Sequence, residues 1–232
     1  MFFWFDPTMI LLIPGLIAAA IAQAKVSSAF RKYNAVKSRA GLTGAQVAER
    51  VLRDSGVYSV KVERVAGHLS DHFDPRTNVI RLSDSTYSST SIAAAGVAAH
   101  EAGHAVQYAQ NYAPIKLRNK IIPVCNFGTP MAFVLLLISF FLTEDLAYPL
   151  IYIAVGLYSL TTLFQLITLP VELDASRRAM QSLENTGIYT GEELIGSKKV
   201  LRAAALTYVA ALLTSLLSLL RFMLIATRGR RR

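Results

Sequence analysis

Residues 121–169 read IIPVCNFGTPMAFVLLLISFFL, then TED, then LAYPLIYIAVGLYSLTTLFQLITL. Two almost wholly apolar runs, Ile121–Leu142 and Leu146–Leu169, are parted by three polar residues, Thr143, Glu144 and Asp145. At about 1.5 Å of rise per residue, each run is long enough to cross ~30 Å of hydrocarbon as a helix. The pair therefore predicts a transmembrane hairpin with its turn at Thr143–Asp145. A third run, Phe2–Ala24, carries Asp6, Pro7 and Pro14 but is otherwise apolar. No basic segment precedes it, and it exceeds a signal-peptide core, so it reads as a retained anchor. A fourth run, Ala203–Ala226, ends near Arg221, which can snorkel to an interface, and is followed by the basic tail 227–232.

Composition agrees. Over 232 residues, 53% are hydrophobic and 17% charged, against roughly 25% charged in soluble domains. The net charge of +9 is spread beside the ends of the apolar runs. That is the pattern of membrane-flanking charge rather than of a nucleic-acid face, and no nucleic-acid-reading motif accompanies it. The single cysteine, Cys125, forms no internal disulfide and has apolar neighbours that suit a buried thiol.

Four crossings leave residues 25–120 and 170–202 on one side of the bilayer, where they can build one site. Lys25, Arg31, Lys32, Lys116, Arg118, Lys120, Arg177, Arg178, Lys198, Lys199 and Arg202 flank the membrane there, and the Glu144–Asp145 turn has no basic residue. The positive-inside bias makes that face cytoplasmic. The C-terminal arginines oppose this count. The expected location is the cytoplasmic (inner) membrane, multi-pass, with the site facing the cytoplasm.

Within 25–120, Thr43 can cap a helix carrying Val47, Val51 and Leu52 that ends near Gly56. Val57–Val65 and Thr77–Ser83 read as strands around turn chemistry at Asp74–Pro75. A longer helix begins near Ser91 and passes Tyr108. On it lies His100-Glu101-Ala102-Gly103-His104, an H-E-x-x-H sequence. Two histidines four apart share one helix face, so both imidazoles can reach one Zn²⁺. Glu101 then stands where its carboxylate can take a proton from a metal-activated water.

A catalytic zinc needs a third protein ligand and an open position. Gln110 stands where a metzincin histidine would be, which excludes that route. His68 and His72 lie among turn-forming residues and read as turn or rim positions. Glu172 is the better candidate. It follows Pro170, and the two suit the first turn of a helix running to about Asn185, although an acidic first-turn residue needs no metal.

The blocks Asp71–Arg76, Val79–Ser83, His100–His104 and Val171–Ala179, with the order of apolar runs, cover nearly the whole chain. In them it resembles the bacterial membrane zinc metallopeptidases labelled neutral zinc metallopeptidase or Zn-dependent protease. More distantly it is similar to gluzincins of the HtpX and CAAX-protease type, which use H-E-x-x-H with a downstream E-x-x-x-D. The resemblance implies a mainly α integral membrane protein, with about four transmembrane helices and a small α+β gluzincin-like zinc-protease domain on one face. It implies one Zn²⁺ held by His100, His104 and Glu172, with Glu101 as general base.

The chain departs from that pattern at Ser176, where those relatives carry an aspartate that supports a ligand histidine. Ser176 or Asp174 could take that place. The resemblance also suggests that the Thr77–Ser83 strand is an edge that pairs with extended substrate; an ordinary core hairpin reads equally well. His72, Tyr108, Arg177, Arg178 and Tyr189 are the candidates for stabilising an oxyanion.

The implied activity is endoproteolysis of membrane or misfolded proteins. The implied partners are the lipid bilayer and protein or peptide substrates; membrane partner proteins or a homo-oligomer are compatible with the sequence. Two other readings compete. In an intramembrane protease the zinc helix itself would lie in the bilayer, but Ser, Thr and Tyr in 85–91 and Gln107, Gln110 and Asn111 place it at or outside the interface. A non-catalytic membrane scaffold could retain a structural zinc, but one cysteine and two further histidines offer little to close a four-ligand site.

Overall fold

A computed structural model describes residues 7–67 and 70–228. After a 3₁₀ turn at Pro7–Leu12 comes α1 (Ile13–Asn34), then α2 (Gly44–Asp54), β1 (Lys61–Val65), β2 (His72–Asp74) and β3 (Val79–Ser83). They are followed by a short α3 (Asp84–Tyr87), α4 (Ile92–Ala109), α5 (Ala113–Ser139), α6 (Glu144–Asn185) and α7 (Gly191–Arg228). Among the described residues, four helical stretches, Pro7–Asn34, Ala113–Ser139, Glu144–Asn185 and Gly191–Thr227, are long and apolar enough to span a membrane. Residues 2–6 of the first expected run and the last four tail residues lie outside the described residues.

The chain divides into two compact units, one made of residues up to 21, 117–169 and 207 onward, the other of 22–116 and 170–206. The first is helical. Its interior joins Ala132, Leu136, Ile151, Ala154, Tyr158, Phe222 and Ala226, with the Tyr158 and Phe222 rings tilted edge to face, 4.8 Å between centroids. Large apolar side chains such as Phe127, Leu137 and Phe141 face outward. An uncovered apolar face of this extent fits lipid better than water.

The second unit carries the small sheet. Thr43 caps α2 in a reciprocal capping box with Gln46, which satisfies two otherwise orphaned N–H groups. α2 then buries Val47, Val51 and Leu52 against α4 and the sheet. α4 starts where the sequence places it, with Ser91 Oγ accepting from the Ala94 N–H. It is so rich in Ala and Gly that neighbouring elements approach its backbone closely.

Three expectations need correction. The sheet order is β1-β3-β2, with β1 parallel and β2 antiparallel to β3. β3 is therefore central, not an edge: both its sides are paired and it cannot receive a substrate strand. Among the described residues the outer strands are β1 and β2, and β2 begins at His72, which the sequence reads as a turn or rim position and which is exposed there. His68 lies outside the described residues. Second, Pro170 does not open a helix, because α6 runs through it without interruption. Val171, Ala175, Ala179 and Leu183 are all fully buried, and their packing outweighs the one hydrogen bond that proline removes. Glu172 is thus a mid-helix residue, and the first-turn argument for it fails. Third, the hairpin turn is 140–143, with Glu144 and Asp145 already in the first turn of α6, where their charges suit the helix dipole.

Candidate metal centre

α4 and the part of α6 beyond Pro170 cross at Gly103. A Cβ built on Gly103 would stand 2.6 Å from the carbonyl oxygen of Ala175, a distance no side chain tolerates. Only glycine lets the two backbones approach this closely. The approach brings His100, His104 and Glu172 together, with one ligating atom from each within 4.8 Å of the others. Glu172 Oε2 lies 3.2 Å from His100 Nε2 and 3.3 Å from His104 Nε2. Glu172 and His104 are buried and His100 is partly buried.

The far nitrogens of the two rings decide what the near ones can do. Gln107 is fully buried, and its Nε2 donates to the Val171 carbonyl at 2.9 Å and to Asp174 Oδ2 at 2.9 Å. Both partners are acceptors only, so the amide cannot be turned around. Its Oε1 then accepts from His104 Nδ1 at 3.0 Å, which fixes the proton on Nδ1 and leaves a lone pair on Nε2. Asp174 is itself held by Arg177 and, at 2.5 Å, by Arg178 Nε. On the other ring, Ser176 Oγ meets His100 Nδ1 at 3.1 Å and can accept its proton in the same way.

Two imidazole lone pairs and a carboxylate oxygen then converge with no proton of their own to share. A cation satisfies such a donor set, and the nitrogen-and-oxygen chemistry suits zinc. Burial pushes the Glu172 carboxyl up; with protons rather than a cation on the two Nε2 atoms, hydrogen bonding and charge from His100 and His104 pull it below the usual carboxylate range.

Glu101 is partly buried beside this group. Its Oε2 accepts the Phe73 N–H at 3.0 Å, so β2 presents its outer edge to the carboxylate. Desolvation raises the Glu101 carboxyl above the ordinary range, Glu172 and Asp71 add to that, and His100 opposes it.

The other candidates scatter. Ser176 meets His100 Nδ1 directly, whereas Asp174 touches neither histidine and reaches His104 only through Gln107. His72 is exposed, its Nδ1 donating to the Ser70 carbonyl at 2.8 Å, and its neighbour Phe73 is the residue that reaches Glu101. Tyr108 packs its ring against Phe73, 5.9 Å between centroids, two turns along α4 from Glu101. Arg178 is bound to Asp174 and Gln110 and stacks over Tyr112; Arg177 is likewise tied to Asp174. Tyr189 is 1% exposed in the hydrophobic core. Burial pushes its hydroxyl up to about 12, with Ser38 opposing, and neither feature brings it to the triad. Gln107 and Gly103 were not singled out from sequence. Gln107 had a usable signal, three residues beyond His104 and so on the same helix face.

A family model described as "Putative neutral zinc metallopeptidase" matches residues 8–227. A curated relative, "Putative membrane protease YugP" of Bacillus subtilis (strain 168), is 48% identical over 209 residues, covering 90% of this chain and 92% of its own. No solved structure matches the chain. With the family match spanning both helical arms of the triad and all four apolar stretches, the chain belongs to this neutral zinc metallopeptidase family.

Proposed function

We propose that the chain is an integral-membrane zinc endopeptidase of gluzincin type, in which His100, His104 and Glu172 hold one Zn²⁺ and Glu101 is the general base. Residues 25–120 and 170–202 form the catalytic part outside the bilayer, on the cytoplasmic face of the inner membrane. Residues 1–24, 121–169 and 203–226 supply the crossings, and 227–232 a basic tail. Its substrates are membrane or misfolded proteins. The observation that carries the reading is the convergence of two Nε2 lone pairs and Glu172 Oε2 with the Nδ1 positions already bonded.

When bound, zinc supplies Lewis acidity to a water and to the scissile carbonyl. Glu101 would accept a proton at its carboxylate from the attacking water and return one to the leaving amine. Burial raises its affinity for protons, which suits a group that accepts a proton and gives one back. The Phe73 N–H orients the carboxylate. β2, not β3, is the outer strand beside Glu101; its Phe73 N–H is held by that carboxylate, and an extended peptide that took over this edge would meet the base directly.

The test is Glu101→Gln, which keeps shape and removes the base. Zinc measured by elemental analysis should remain at one per chain, while casein hydrolysis or self-cleavage falls about 10²–10⁴-fold. Unchanged hydrolysis would remove Glu101 as base. Full zinc with no hydrolysis in either protein would favour the scaffold reading.

A further inference from the structure

The second unit contains a groove that the zinc chemistry does not use. Its walls are one face of α1 and one face of α7. Lys25, Ala29 and Lys32 repeat at helical spacing along α1; Lys199, Arg202 and Leu206 do so along α7, and all six line a space of about 620 Å³. That is the size of a small-molecule site.

The charge is all of one sign at this lining. Ion pairs formed among the described residues involve other side chains, so Lys25, Lys32, Lys199 and Arg202 bring four cations to one groove with no carboxylate among its lining residues. The remaining surface is mostly apolar and small. In sequence, Lys25 directly follows the apolar run of α1, and Arg202 directly precedes that of α7. Basic side chains at the ends of apolar helices, around an apolar floor, match a headgroup phosphate with an acyl chain below it.

We propose that this groove binds one anionic phospholipid, its phosphate between the α1 lysines and Lys199 and Arg202, over the small side chain of Ala29, and its acyl chain leaving past Leu206 along the apolar run of α7. The inference rests on the reading of α1 and α7 as membrane-crossing helices, not on the zinc assignment. Scattered membrane-flanking charge would attract anionic lipid without holding one molecule; two basic faces opposed across a groove hold one.

Native mass spectrometry of the full-length protein in neutral detergent tests it, with phosphatidylglycerol, phosphatidylcholine and inorganic phosphate as separate probes. Phosphatidylglycerol should be retained at one molecule per chain and phosphatidylcholine at least tenfold more weakly. The pair Lys199→Gln and Arg202→Gln should lose that retention at least tenfold. The equal charge change Arg53→Gln with Lys61→Gln, on α2 and β1, should not. Should the α7 pair fail to fold, Lys25→Gln with Lys32→Gln tests the other wall. Zinc content of each variant should stay at the parent's value, which separates failure of this site from failure of the metal centre. Retention unaffected by either groove pair, equal loss in the control pair, or equal retention of phosphatidylcholine would each overturn the proposal. So would competition by millimolar phosphate as effective as that by the lipid, since it would mark a free-phosphate site.

Discussion

His104 and His100 face the same carboxylate, yet the regions behind them are built differently. Behind His104 lies a chain of hydrogen bonds, buried at Gln107 and Asp174 and ending on the more exposed Arg177 and Arg178, in which no group can reverse its role. Behind His100 lies one hydroxyl, Ser176, which rotates freely and can donate as well as accept. One histidine is held in a single tautomer by its surroundings; the other is only encouraged toward it. A metal centre of this kind can be stiff on one side and adaptable on the other.

The largest effect should come from a change that breaks both sides together. Gly103→Ala sets a methyl against the Ala175 carbonyl and forces α4 and α6 apart. Zinc should be lost from the purified protein and the thermal midpoint should fall, with about 1–3 kcal/mol of destabilisation from overpacking. Normal zinc content would show that the helices can slide without cost to the triad.

Glu172→Ala removes the carboxylate that both rings face, and zinc stoichiometry by elemental analysis should drop well below one. An undiminished stoichiometry would remove Glu172 from the ligand set. Gln107→Leu then asks about the stiff side alone. It leaves the His104 Nδ1–H without its acceptor and should weaken zinc about 10–100-fold in a chelator competition, the usual cost of losing such a partner. Ser176→Ala, on the adaptable side, should weaken zinc less than Gln107→Leu, because water can replace a hydroxyl at a partly exposed ring. The reverse order would invert the comparison.

The smallest effect belongs to Tyr189. Tyr189→Phe should leave zinc and hydrolysis at parental values. Its effect is on alkaline stability. The folded-state pKa is raised to about 12, whereas the unfolded chain ionises near its ordinary value of about 10. The stability difference is therefore absent below pH ~10, and stability falls as pH rises from there through about 12. Thermal melts between those limits should show that loss in the parent and a shallower one in the phenylalanine variant.

How much of this was legible in the chain depends on how local each feature is. The apolar runs, the α2 cap at Thr43, the Ser91 start of α4 and the H-E-x-x-H face all follow from neighbours a few residues apart; among the described residues the two caps stand where the sequence puts them, and the apolar runs do so to within a few residues at the hairpin turn. The Pro170 reading failed because a local rule about proline met tertiary packing that overrode it. β3 read as well for an edge as for a core strand because alternation along one strand says nothing of what pairs with it.

The sequence by itself determined that apolar helices of membrane length exist and that two imidazoles share a face with a carboxylate beside them, since helical periodicity and hydropathy are properties of short segments. Only the tertiary structure decided that Glu172 reaches those imidazoles across 72 residues of chain, that Gly103 permits it, and that Gln107 fixes a proton on His104. Those facts depend on how closely two distant backbones can approach and which buried acceptors surround one amide, and no stretch of sequence encodes either alone.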